Sequence, residues 1–230
     1  MKTSVRTLGL AAAFALVGGS AQAAGRLTLD DFTTGPTAIA FSGAGQTSTL
    51  EKTTVEHGSA ILGQTRSTTL ILSQGGNPFD QNASMQIGTW PSQSTSALIV
   101  SGGFLVDSRL EMAYGNEARA TPLRANLSQY DFIRIHFKGI STGLNFNVEA
   151  FTGTAYSQWG CNLSATLYPT AVDVPFKNGQ GASKPSMLDG FMFIFQGGGI
   201  VGNNFGVTKI ELVTRDTPLM SGEQNVPCGG

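Results

Sequence analysis

Two short segments carry regularly spaced side chains that can do chemistry. In residues 131–137, Ile133, Ile135 and Phe137 alternate with Arg134 and His136. In residues 144–150, Leu144, Phe146 and Val148 alternate with Asn145, Asn147 and Glu149. A period of two sends successive side chains to opposite faces of a strand, so each segment offers one apolar and one polar face. The connection 138–143 is short enough for an antiparallel hairpin, and a register with His136 opposite Asn145 also places Arg134 opposite Asn147. Arg134, His136, Asn145, Asn147 and Glu149 then share one face, extended by Tyr156, Gln158 and Asn162 of the following strand. Guanidinium, amide and carboxylate groups engage neighbouring hydroxyls as donors or acceptors, which is the chemistry of sugar recognition. Alternation alone also gives any half-exposed antiparallel sheet a polar face without a ligand.

A catalytic use of the same residues pairs His136, as general base, with Glu149 as its orienting acid; His57 is a second candidate base. The chain has no Gly-x-Ser-x-Gly elbow and no paired histidines at metal-ligand spacing, so no catalytic set is assigned. Gly102-Gly103 and the glycines at 197–199 are not followed by a helix that could receive a phosphate, and no cofactor is expected. Asp30 and Asp31 are candidates to help hold a structural calcium ion, yet adjacent strand carboxylates point to opposite faces and cannot make that site alone. Arg66 lies between Gly63 and a strand-like run, where its guanidinium can bond loop carbonyls or an acid while its stem packs beneath. That structural use is favoured over ligand binding.

Strands must hold these residues, and strand signals dominate the chain. Residues 27–32, 67–72, 97–100, 109–114, 132–137, 144–151, 171–174, 190–196 and 205–213 are short β-prone runs bounded by turn clusters. Helix signals are nearly absent, and no internal repeat is found. The pattern reads as all-β, a two-sheet antiparallel β-sandwich or jelly roll. In residues 190–196 both side-chain parities are apolar, which predicts a central strand covered on each side. Residues 75–96 read as a long excursion with room for one strand.

The chain opens with Lys2 and Arg6, an apolar run at 8–17 and Ala21-Gln22-Ala23, the pattern of an export signal cleaved before Ala24. The expected organisation is a signal at 1–23, one β-sandwich domain at 24–216 and a C-terminal tail at 217–230, secreted or periplasmic. Cleavage leaves about 207 of the 230 residues, enough for one β domain with a substantial core. Two of the 14 basic residues leave with the signal, so 12 stand against 15 acidic ones, a formal charge of about −3. That balance argues against a nucleic-acid partner, which needs a basic stripe. No later apolar run reaches spanning length, so no membrane insertion is expected after cleavage. Cys161 and Cys228 are the only cysteines, and in an oxidising compartment they are expected to form a disulfide that ties the tail to the body.

Several segments resemble galactose-binding-like β-sandwich domains, such as those of carbohydrate-binding modules. They are Asp30-Asp31-Phe32, Leu127-Ser128-Gln129-Tyr130-Asp131 leading into Ile133-Arg134-Ile135, Val172-Asp173-Val174-Pro175-Phe176, and Val207-Thr208-Lys209-Ile210-Glu211-Leu212. Asp31-Phe32-Thr33-Thr34-Gly35 with Ile61-Leu62-Gly63-Gln64-Thr65-Arg66 is also similar to a set of bacterial exported proteins. That set usually has acidic residues where this chain has Thr65 and Ser67, and its Pro-Glu-Pro sorting tail is missing here. The resemblance implies a galactose-binding-like fold. Joined to the polar face, it implies a secreted, non-catalytic domain whose partner is a glycan or another extracellular polymer. The ligand-binding residues expected are Arg134, His136, Asn145, Asn147, Glu149 and Gln158, with Trp90, Trp159 and four tyrosines as the aromatics available. The alternatives are an exported hydrolase or lyase using that face, or a structural envelope protein whose exposed sheet mediates assembly.

Overall fold

The computed structural model describes residues 25–42, 48–73, 79–89, 95–118, 121–178, 180–181, 183–197, 202 and 204–228. The export signal expected at 1–23 and Trp90 lie outside the described residues. The first half of the chain gives β1 (Arg26–Asp30), β2 (Thr37–Phe41), β3 (Leu50–His57), β4 (Thr65–Leu72), β5 (Ala83–Thr89), β6 (Ser96–Gly102) and β7 (Ser108–Gly115). The second half gives β8 (Phe132–Ile140), β9 (Leu144–Thr152), β10 (Ala155–Leu163), β11 (Thr170–Pro175), β12 (Gln180–Gly181), β13 (Gly190–Gly197), β14 (Asn204–Val213) and β15 (Gln224–Pro227). The strand in the 75–96 excursion is β5. No helix among the described residues is long and apolar enough to cross a membrane.

The strands form two sheets. One has the order β15-β11-β8-β14-β6-β5-β2, with β1 also paired to β14, and the other has the order β12-β10-β9-β13-β7-β4-β3. Pairing is antiparallel except between β11 and β15, which run parallel. The two inner faces enclose one apolar core. Ile133, Ile135 and Phe137 enter it from β8, Leu144, Phe146 and Val148 from β9, and Phe191, Phe193 and Phe195 from β13; all are buried. Rings meet across the layers, with centroids 6.1 Å apart for Phe137 and Phe146, 6.4 Å for Phe137 and Phe195, and 5.4 Å for Phe195 and Phe205. Offset and edge-on contacts at such distances stabilise beyond simple area burial.

Two expectations are corrected here. First, β8 and β9 do not form a hairpin: β8 pairs with β11 and β14, and β9 with β10 and β13. The connection crosses from one sheet to the other, so the two apolar faces meet through the core instead of lying side by side. Alternation is the same in either arrangement, which is why it did not distinguish them. The polar faces of β8 and β9 consequently point out of opposite sides of the molecule. Second, β13 is central in its sheet, between β9 and β7, but its outer side has no second layer among the described residues. Met192 and Ile194 lie there half-buried, shielded only by neighbours in the same sheet.

The segment from Thr217, expected as a tail, runs along the outside of the eight-stranded sheet and ends in edge strand β15. The expected disulfide joins Cys161 to Cys228 and so links the edges of the two sheets. Arg66 has the expected structural use. Its guanidinium donates to Asp30 Oδ2 at 2.6 Å, Thr34 O at 3.0 Å and Glu56 Oε2 at 3.3 Å, and Tyr114 Oη donates to Asp30 Oδ2 at 2.9 Å. Removing one partner from such a buried set leaves a charge uncompensated, so the set pins β1 and the turn after it to β3, β4 and β7. Asp31 turns the other way and accepts from Thr33 N at 3.0 Å.

Candidate functional site

Strand register writes the outer face of the seven-stranded sheet as rows of neighbouring side chains. One row reads Gln158, Glu149, Met192, Ala113, Ser67, Val55, and the next Gly160, Asn147, Ile194, Glu111, Thr69, Thr53. A third reads Asn162, Asn145, Gln196, Arg109, Ile71, Glu51. Amides and a carboxylate from β9 and β10 thus adjoin an apolar patch on β13, followed by hydroxyls on β4 and β3. No hydrogen bond among the described residues occupies the side chains of Asn145, Asn147, Glu149 or Gln158. Among the described residues their donors and acceptors are left open.

A hollow of ≈450 Å³ lies over β3, β4, β7 and β13, with Thr53, His57, Ser67, Thr69, Glu111, Glu117 and Met192 in its lining. His57 approaches Thr65 Oγ1 at 3.1 Å on its rim. Glu111 accepts from Arg109 Nη2 at 2.8 Å. Burial raises the Glu149 carboxyl above its ordinary value, and the negative charges of Glu111 and Glu117 raise it further. Burial also raises Glu117, against the opposing hydrogen bond from Asn116. At the β9–β10 edge, Tyr156 stacks on Phe151 with centroids 5.9 Å apart and planes 29° from parallel.

Of the six residues expected to bind ligand, the structure brings Asn145, Asn147, Glu149 and Gln158 together and places Arg134 and His136 elsewhere. Those two lie buried on the outer side of the eight-stranded sheet, beneath the strap 217–223. Arg134 donates from Nε and Nη2 to the two Asp173 oxygens at 2.6 and 2.8 Å, and from Nη1 to Thr217 O and Pro218 O at 3.1 and 3.0 Å. His136 bridges two glutamates, with Nε2 3.0 Å from Glu211 Oε1 and Nδ1 2.7 Å from Glu223 Oε1. Only an imidazolium donates from both nitrogens. Burial opposes that charge, but the two glutamates outweigh it and raise the His136 pKa. Burial likewise opposes ionisation of Glu211, yet His136 and Lys209 bring its pKa down to about 2. The acid–base pair of His136 with Glu149 does not form, because the two occupy opposite outer faces.

Glu111, Glu117 and Phe151 belong to the face but were not singled out from the sequence; Tyr156 was, and Met192 was expected beneath a second layer. The alternation of Arg109, Glu111 and Ala113 was visible as a strand; what was missing was its place two strands from β9. Among the described residues no three His, Cys, Asp or Glu side chains gather as a metal site. Asp30 gives its carboxylate to Arg66, Tyr114 and Phe32 N.

No family model matches the chain, and no curated protein matches it. Among solved structures the chain is similar to a family 11 carbohydrate-binding module from Clostridium thermocellum, in complex with a β-1,3-1,4-mixed-linked tetrasaccharide. Identity is 13% and the TM-score 0.42, over 84% of this chain and 98% of that one. It is also similar to a family 30 carbohydrate-binding module of a cellulosomal cellulase of the same organism, at 13% identity and a TM-score of 0.36, over 83% of this chain and 99% of that one. At these values neither likeness assigns a ligand or a binding residue to this chain. The two-sheet β-sandwich itself stands on the strand pairings and the shared core, and it fits the galactose-binding-like architecture suggested by the sequence segments.

Proposed function

We propose that this protein is an exported, non-catalytic domain that binds a glycan on the outer face of its seven-stranded sheet. The observation that carries the reading is the open hydrogen-bonding capacity of Asn145, Asn147, Glu149 and Gln158 beside half-buried Met192 and Ile194. A pyranose has a rim of hydroxyls and apolar C–H faces, so it asks for planar polar groups next to an apolar surface. The rows run across several strands, which suits an extended chain of sugars. Export is supported by the signal pattern at 1–23 and by the Cys161–Cys228 disulfide, a bond at home in oxidising compartments. A glycan array with the purified protein, paired with an activity screen on the same compounds, tests the reading. Asn147→Ala and Glu149→Gln should each weaken binding about tenfold, the loss of one good hydrogen-bond set. Thermal stability should change by less than about 0.5 kcal/mol, as for most surface substitutions. Unchanged affinity in both variants would remove this face from consideration.

A second reading has one observation in its favour. Glu149 is held protonated to higher pH by burial and by Glu111 and Glu117, and glycoside cleavage uses carboxyl pairs in which one acid is raised. If the face is hydrolytic, Glu149→Gln abolishes product release in the activity screen while substantial affinity remains.

A further inference from the structure

We infer a second sugar subsite in the groove where β10 meets the end of β11 in the opposite sheet, holding one neutral pyranose unit; this rests on the glycan reading above. The groove has a volume of ≈850 Å³, within the range of small-molecule sites. Tyr156, Gln158, Trp159, Val174, Pro175 and Cys228 contribute to its lining, and among the described residues no charged side chain does. A lining without charge gives phosphate, carboxylate or ammonium groups no partner, whereas it suits hydroxyls and C–H faces.

Two features point to a sugar ring. Tyr156 is 48% exposed, and its ring is braced from behind by Phe151, so it offers a rigid aromatic platform for a C–H face. Trp159 is 9% exposed, and its indole Nε1 is buried without a hydrogen-bond partner among the described residues. Most buried polar groups in native proteins are satisfied, so an orphan N–H beside a groove is informative. Nε1 is sealed off from solvent, so a sugar hydroxyl in the groove reaches it as an acceptor only with a small turn of the indole towards the groove. Gln158 lines the groove and also opens the first row of the sheet face, next to Glu149. Groove and face are therefore contiguous, and a glycan lying across the sheet can turn its terminal unit over β10 towards β11. Cys228, bonded to Cys161, holds one wall in place.

The chain has two tryptophans, so in a Trp90→Phe background the emission of Trp159 reports on the groove alone. The probes are neutral β-linked glucan and galactan oligosaccharides, with affinity measured by calorimetry. The expected result is a shift in Trp159 emission at saturation and an affinity loss of about tenfold in both Tyr156→Ala and Trp159→Phe, the latter keeping an aromatic ring but no N–H. Asn147→Ala should weaken binding yet leave the emission shift at saturation. Oligosaccharide binding with unmoved emission and unchanged affinity in Tyr156→Ala and Trp159→Phe overturns the groove and leaves the face reading intact. Binding confined to charged glycans also overturns the groove alone, whereas no binding to any glycan overturns both.

Discussion

Phe193 and Met192 are chain neighbours in opposite environments. Phe193 is fully buried and meets Tyr114 edge-on, with centroids 5.7 Å apart and planes at 89°. Met192 lies half-buried on the outer face between Glu149 and Ala113. Phe193→Ala leaves a cavity that a close-packed interior cannot collapse around and should cost about 3–5 kcal/mol, a large share of a typical domain's stability. Met192→Ala should cost about 1 kcal/mol or less, the value for surface positions plus one partly lost apolar contact. Met192→Lys should also fold, since the lysine stem can lie along the sheet with its amine in water. Denaturant unfolding of the three variants measures this. A loss in Met192→Lys as large as that in Phe193→Ala would mean that something covers the face assigned to the ligand.

Among the elements, the strap 217–223 is held by groups whose protonation changes. His136 of β8 is met by Glu211 of β14 and by Glu223 of the strap, with Lys209 of β14 and Arg26 of β1 on Glu211, and Arg134 of β8 and Asp173 of β11 next in line. Because the folded state raises the His136 pKa, its contribution is complete below the ordinary value of 6.5 and is lost as pH rises through the raised one. Glu211 and Glu223 are lowered, so theirs is complete above the ordinary 4.5 and is lost as pH falls, for Glu211 toward about 2. The strap should therefore be held best between those ordinary values, and its backbone amides should exchange hydrogen faster above them than the sheet does. His136→Gln should flatten the alkaline side of that profile. Equal profiles for the parent and the variant from neutral to alkaline pH would show that imidazolium does not hold the strap. The strands themselves were legible because alternation is local, and 132–137, 144–151 and 190–196 fall where expected. Partnership was not, because nothing within β8 or β9 records which strand lies beside it. The four site residues that do assemble come from β9 and β10, a true hairpin in which Glu149 faces Gln158. β3, with Glu51, Lys52, Thr53 and Thr54, is too polar to announce itself as a strand, and only its pairing with β4 makes it one.

At the scale of the whole molecule, the Cys161–Cys228 bond ties the two sheets together across a separation of 67 residues. The chain-entropy view gives such a closure up to about 4 kcal/mol, by restricting the unfolded chain. Cys228→Ser should therefore lower the thermal midpoint, and limited proteolysis should cut first between residues 217 and 228. Midpoints that coincide for the oxidised parent and the variant would show that the strap's other contacts suffice. The crossing between β8 and β9 has a consequence of another kind, in what the sequence is free to become. Two segments with the same polar rhythm live under different rules of variation. On β8, Arg134 and His136 answer to β11, β14 and the strap together, so any one of them can change only if the others change with it. On β9, Asn145, Asn147 and Glu149 answer to no other described side chain through a hydrogen bond, and Glu149 meets Glu111 and Glu117 only through charge. Under the glycan reading proposed above, descendants of this chain can exchange one ligand for another along β9 while the lineage of the scaffold, recorded along β8, stays readable.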